Sequence, residues 1–346
     1  MLNQRLSNIV VIKPILVVLL VFYHAFAIYG GSWEPLPDYP EIAVYWWLDK
    51  ISYACMLELF VFVSGYLFGF QVRTKGAEKL RAKNLFGNKL KRLIIPSIVF
   101  SFIYLLLYGD ISQPVFSTFY HILLGVGHMW FLPMLFLCFV GVWSIERIRL
   151  KPHWALMMLL LLSLLSINGL PFDLSLTMYY LVFFYLGYCI QRYNINIERY
   201  YSYSNVIISV VLFIISFVSL TILREHLDEL FLDPSFIIQT TKFVLGKACQ
   251  ITYSFLGIAM VMLVIGFVQK DLAYKQPQWV ICVGNMCFGV YLFQQFFLQG
   301  FYYHTTIPSL FGPILLPWVC FIVTLIVSLL ATWMFRLTRV GRFLLG

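Results

Sequence analysis

The chain predicts an all-α, polytopic integral membrane helical bundle of about ten transmembrane helices with both termini cytoplasmic. Three observations carry this reading. Of 346 residues, 61% are hydrophobic, 18% aromatic and only 11% charged, with a mean hydropathy of +0.86, whereas soluble domains carry about 25% charged residues. Apolar runs recur near the length of about 20 residues that crosses a hydrocarbon core of about 30 Å. Lysine and arginine collect in alternate loops, the mark of cytoplasmic retention.

Taken in order, the runs lie near Val11 to Tyr29, Ile51 to Phe70, Leu93 to Tyr108, Met129 to Ile145 and Trp154 to Ile167, then Leu174 to Ile190, Val206 to Ile222, Ala248 to Val268, Trp279 to Phe297 and Ile314 to Phe335. Arg5 precedes the first. Arg73, Lys75, Lys79, Arg81, Lys83, Lys89, Lys91 and Arg92 follow the second, and Arg147, Arg149 and Lys151 follow the fourth. Arg192 and Arg199, Lys270 and Lys275, and Arg336, Arg339 and Arg342 continue the alternation, while the opposite loops hold Lys50 and Arg224 against acidic residues such as Glu34, Asp173, Glu225 and Asp228. The net charge of +9 is thus an orientation signal and gives no nucleic-acid partner.

Residues 1–346 read as a single membrane-embedded domain, with no linker, low-complexity tract or internal repeat of the transporter kind. Ala25-Phe26-Ala27 mimics a signal-peptide cleavage site, but an uncleaved first span is expected. The seven cysteines show no CxxC or metal-ligand spacing, so neither a disulfide framework nor a metal site is expected.

The informative residues are the polar ones that lipid disfavours. His24 ends the run Pro14-Ile-Leu-Val-Val-Leu-Leu-Val-Phe-Tyr-His24, and Glu58 sits within Met56-Leu-Glu58-Leu-Phe-Val-Phe-Val-Ser64-Gly65-Tyr66. Intramembrane ionisable groups of this kind mark functional sites or paired packing contacts. The first two spans run antiparallel, so both residues fall in the outer half of the membrane, where a carboxylate beside an imidazole would fix its tautomer and support general base catalysis. Lys13 lies at the cytoplasmic mouth of the first span, either snorkelling or facing a ligand. The loop from Arg73 to Arg92 carries eight basic residues against the single Glu78, a surface suited to a phosphate-rich cytosolic ligand or to anionic headgroups.

Other groups are open to two readings. His121 and His128 suit hydrogen bonding at the interface or contact with substrate. Trp130 and Tyr45-Trp46-Trp47 suit an interfacial belt or stacking on sugar rings. Lys242 and Lys247, after Pro234, suit snorkelling or an outer, partly re-entrant helix facing the acceptor. Asn285, Gln294 and Gln295 suit a cavity lining or interhelical hydrogen bonds.

Lys13-(ten residues)-His24, Glu58-Leu-Phe-Val-Phe-Val-Ser-Gly-Tyr-Leu, Lys89-Leu-Lys-Arg92 with Pro96 behind it, His128-Met-Trp130-Phe-Leu-Pro133 and Gly289-Val-Tyr291-Leu together resemble the acyltransferase-3 family, in that family's order, over nearly the whole chain. The resemblance implies a membrane-bound O-acyltransferase of the bacterial cytoplasmic (inner) membrane that moves an acyl group, by family default acetyl, from acetyl-CoA or another acyl-CoA to a hydroxyl of a surface polysaccharide or glycolipid sugar. It implies His24 and Glu58 as catalytic residues, Lys13, Lys89 and Arg92 at the donor, and Ser64, His128, Trp130 and Tyr291 at the substrate. Membrane lipids, acyl-CoA and a carbohydrate acceptor would be its partners. Two departures stand out: Lys13 occupies a position usually held by arginine, and Gln294-Gln295 lie where many members carry a histidine. A proton-coupled transporter or flippase of polysaccharide or lipid-linked sugar, with His24 and Glu58 as a proton relay, is the alternative reading. A non-catalytic subunit of a glycan-synthesis complex is a third.

Overall fold

The computed structural model describes residues 2–37, 39–109, 114–166, 170–231, 235–271 and 277–345. It contains α1 (Leu2–Gly30), α2 (Ala43–Tyr53), α3 (Met56–Lys75), α4 (Ala82–Lys89), α5 (Ile95–Tyr108), α6 (Val115–Leu124), α7 (Phe131–Ile148) and α8 (Pro152–Leu164). These are followed by α9 (Leu174–Arg192), α10 (Tyr203–Glu225), α11 (Leu227–Leu230), α12 (Phe236–Asp271), α13 (Gln278–Tyr303), α14 (Ile307–Leu310), α15 (Leu316–Leu337) and α16 (Arg339–Leu345). No strand occurs among the described residues.

Among the described residues, nine helical stretches are long and apolar enough to cross a membrane. The run expected to be the fifth span is α8, only 13 residues long, or about 20 Å at 1.5 Å per residue. It returns along α9: Ala155, Leu159 and Ser163 are buried on one face, and the Ser163 hydroxyl donates to the Tyr179 carbonyl at 3.0 Å. The stretch holding Lys242 and Lys247 is part of one continuous helix, α12, of 36 residues, rather than a separate re-entrant segment. A helix of that length extends about 54 Å, so it outruns the hydrocarbon.

The chain divides into two compact units. The first comprises Met1–Ile9, Ala54–Arg81 and Leu137–Lys275, and the second Val10–Tyr53, Ala82–Phe136 and Gln276–Gly346.

In the first unit, α3 and α9 pack backbone to backbone. A Cβ on Gly65 would fall on the Phe184 carbonyl, one on Gly69 on the Tyr188 carbonyl, and one on Gly187 on the Phe62 carbonyl. Small residues that let helices approach are the usual adhesive where no hydrophobic force separates helix from lipid. Phe213 and Phe217 of α10 stack, and Phe217 meets Tyr253 of α12 edge-on at 5.7 Å.

In the second unit, α1 and α13 run parallel. Gly284 faces Val10 and Pro14, Gln294 stands by His24, and the Tyr302 hydroxyl donates to the Ala25 carbonyl. Ala25, Phe26, Tyr45, Leu298, Tyr302, Leu316 and Cys320 form a buried core there. Helix α5 packs on the opposite face of α13, with Phe100 edge-on to Phe293 at 5.4 Å and the Tyr108 hydroxyl donating to the Phe296 carbonyl at 2.7 Å.

Candidate active site

At the centre of the second unit, the chain between α6 and α7 abandons the regular helix, and side chains satisfy the main-chain groups this frees. Gly125 and Gly127 take φ values of +93° and +59°, a left-handed conformation that glycine adopts without penalty. The Ser101 hydroxyl accepts from the Val126 N–H at 3.0 Å, and the Ser97 hydroxyl donates to the Met129 carbonyl at 3.3 Å. Gln295 Oε1 accepts from the His128 main-chain N–H at 2.8 Å and also meets Nδ1 of its ring. The ring's Nε2 faces the Leu292 carbonyl at 3.2 Å, and the Tyr291 hydroxyl donates to the His128 carbonyl at 2.7 Å. Irregular backbone at membrane depth persists only with such partners. His128 is therefore held by α13 through both its main chain and its ring.

His24 of α1 lies beside it, 8% exposed, with ring centroids 6.5 Å apart. Trp33 is 5.8 Å and Tyr23 4.9 Å from His24. The His24 ring stands within hydrogen-bonding reach of the Leu20 carbonyl and of the fully buried Gln294 amide, although at neither Nδ1 of His24 nor the Gln294 amide is a contact at full hydrogen-bond geometry made among the described residues. A buried polar atom without a partner costs about 1–3 kcal/mol. The His24 imidazole and the Gln294 amide therefore hold donor and acceptor capacity against each other inside the unit.

The site continues toward both ends of the unit. One turn beyond His24, Ile28 and Tyr29 begin a cavity of about 560 Å³ lined also by Tyr39, Glu41, Trp46 and Trp47. At the opposite end, Lys13 is half-buried within electrostatic range of Cys287. Lys89 is half-buried at the end of α4, and Arg92 is exposed on the π-helical turn Leu90–Ile94 that leads into α5. Single π turns inside helices are frequent at functional sites. Along α1, Lys13 and His24 are about 16 Å apart at 1.5 Å per residue.

Glu58 belongs to the first unit and His24 to the second, so neither unit by itself supplies the carboxylate–imidazole pair expected from the sequence. Glu58 is 1% exposed; its Oε1 accepts from the Tyr179 hydroxyl at 2.8 Å, and Gln250 and Ser254 of α12 stand within hydrogen-bonding reach of its carboxyl group. In α3, the Ser64 hydroxyl donates to the Phe60 carbonyl at 2.9 Å, so it is engaged by its own helix. Trp130 is half-buried, with its ring 6.1 Å from Phe131. Tyr291 acts on the His128 carbonyl. Among the described residues, no three His, Cys, Asp or Glu side chains gather as a metal site.

The motifs that compose this arrangement run from one end of the chain to the other, and so does a family-level match. The model of the acyltransferase-3 family, described as an acyltransferase domain, matches residues 7–333. The chain belongs to this family. No curated protein and no solved structure matches it. It is thus an acyltransferase of the integral membrane class, and the matched region draws on both units.

Three features of this acyltransferase were not legible beforehand. Gln295 as the clamp on His128 had a partial signal, two amides inside an apolar run. Tyr179 as partner of Glu58 had none, being one of 22 tyrosines. Trp33 beside His24 follows from the turn after α1, whose course the sequence pattern leaves open.

Proposed function

We propose that the protein transfers an acyl group, acetyl by preference, from cytoplasmic acyl-CoA to a hydroxyl of a surface polysaccharide or glycolipid sugar in the bacterial cytoplasmic membrane. What carries this reading is the buried pair of His24 and Gln294 beside the clamped His128, set along α1 between basic groups and an aromatic cavity. Lys13, Lys89 and Arg92 would hold the phosphates of CoA, with Lys13 as a point charge where arginine would offer a fork. The pantetheine arm would bring the thioester toward His24.

The acceptor hydroxyl would enter by the cavity at Tyr29, Trp46 and Trp47, whose rings offer stacking faces to a sugar. His24 takes the hydroxyl proton as the oxygen attacks the thioester carbonyl. The C–S bond then breaks, the CoA thiolate recovers the proton from His24, and an O-ester and free CoA remain. His128, fixed by Gln295 and Tyr291, presents a rigid polar wall to the same centre.

The test is binding and turnover of radiolabelled acetyl-CoA by detergent-purified protein. Wild type should bind it and release CoA in the presence of acceptor glycan. The Lys13→Met/Lys89→Met/Arg92→Gln variant should bind at least about tenfold more weakly, since each charge-assisted contact contributes about 1.5–3 kcal/mol. Absence of binding by wild type to acetyl-CoA and to longer acyl-CoAs would sink the donor assignment.

A further inference from the structure

The first unit carries two cations that the transfer chemistry does not use. Arg224 ends α10 and Lys247 lies in α12, at the end of the unit that the loop charges assign to the outside. The opposite ends of the same helices are tied together, because Lys270 Nζ donates to the Tyr201 carbonyl at 3.4 Å. From there to Arg224 along α10, and to Lys247 along α12, is in each case about 32–35 Å at 1.5 Å per residue. Both cations therefore stand level with each other, one hydrocarbon thickness from the cytoplasmic boundary, where lipid phosphates lie.

Among the described residues, neither has an ion-pair partner. Arg224 is exposed and donates to the Tyr253 hydroxyl at 3.3 Å. The Lys247 ammonium lies over the rings of Tyr179 at 4.7 Å and Phe243 at 5.6 Å. Each is within electrostatic range of the other, a repulsive pairing. Among the described residues no carboxylate forms an ion pair with either, including Glu225 and Glu229 on adjoining turns. Glu58, the carboxylate within electrostatic range of Lys247, is buried and engaged by Tyr179. Lys242, one helical turn and a residue away, shows the ordinary solution: it is paired with Asp228.

We propose that Arg224 and Lys247 form a phosphate-binding site at the outer boundary of the first unit, occupied by the phosphate ester of an outer-leaflet lipid. A guanidinium fork and an ammonium point charge suit a phosphate's several acceptor oxygens, and the cation–π contacts hold the ammonium in place without neutralising it. The phosphate comes either from a bulk anionic phospholipid or from a polyprenyl phosphate carrier. The site stands whether or not the acceptor is a glycan.

Native mass spectrometry of the purified protein, titrated with phosphatidylglycerol, with a polyprenyl phosphate and with diacylglycerol as the phosphate-free control, tests it. Wild type should retain a phosphate lipid at least tenfold more strongly than Arg224→Gln/Lys247→Met, with Lys242→Gln like wild type and Arg224→Lys retaining most of the binding. If the double variant does not elute as a monodisperse species, the two single variants are read instead. A preference for polyprenyl phosphate over phosphatidylglycerol assigns the carrier as the source, and equal retention assigns bulk lipid. Undiminished retention by the double variant, or an equal loss in Lys242→Gln, overturns the site.

Discussion

The polar centres of the two units are built from opposite materials. Around His24 in the second unit stand a second histidine, two amides, a tyrosine and a tryptophan, with no carboxylate and no lysine or arginine among the immediate neighbours named above. In the first unit, the cluster of Glu58, Tyr179, Lys247, Arg224 and Tyr253 is made of acidic and basic side chains joined through tyrosines. The contrast is chemical. A group that must gain and lose a proton within a turnover works best among dipoles that reorganise little, whereas a cluster of acidic and basic side chains suits recognition of an ion. If the proposals above hold, the two sets of costly intramembrane residues do different kinds of work, and the comparison can be broken at either end.

The largest effect is expected at His24. Replacement by alanine removes the proposed base, and acyl transfer should fall by about 10²–10⁴-fold while acyl-CoA binding and thermal unfolding in detergent stay near wild type. Transfer at wild-type rate would move the base elsewhere. Next is Gln295→Leu, which strips the clamp from both the main chain and the ring of His128. Losing a buried partner costs about 1–3 kcal/mol, so transfer should drop by about 10–100-fold, with the loss larger in kcat than in donor binding. A loss confined to donor binding would mean that His128 serves the CoA end instead.

How much of this was legible in the sequence follows a physical divide. Hydrophobic length and loop charge are properties of a segment against its solvent, so the membrane spans could be read from the chain itself. Where neighbours decide, the pattern says less: α8 is 13 residues long and lies along α9, with its expected end at Ile167 outside the described residues, and α12 runs on without a break through Lys242 and Lys247. His24, Lys13 and Glu58 were visible as residues because lipid makes them expensive. Their partners were not, because partnership depends on helix rotation and tilt, which an apolar run does not encode. The expected pairing of His24 with Glu58 draws on residues of two separate units, and within the first unit the hydrogen bond to Glu58 comes from Tyr179 of α9.

Gly65→Ala would probe the framework rather than the chemistry. Its Cβ meets the Phe184 carbonyl, and forcing α3 from α9 should destabilise the first unit by about 1–3 kcal/mol, seen as a lower unfolding temperature. If the first unit serves mainly recognition, the donor-binding constant should change less than the unfolding temperature suggests.

The smallest effect sharpens the comparison most. Glu58→Gln keeps an oxygen that can accept from the Tyr179 hydroxyl and removes the charge. If Glu58 oriented and polarised His24, as the sequence pattern suggested, this change would reduce transfer nearly as far as His24→Ala and would displace the acid limb of the pH–rate profile. If Glu58 instead belongs to the first unit's own network, the change should lower transfer or stability by about 1 kcal/mol or less, the net worth of one hydrogen bond, with the acid limb unmoved. We expect the second outcome. Tyr179→Phe supplies the cross-check, because it removes the same hydrogen bond from the other side. The two variants should be non-additive when combined, with both effects read in the unfolding temperature before they are read in turnover.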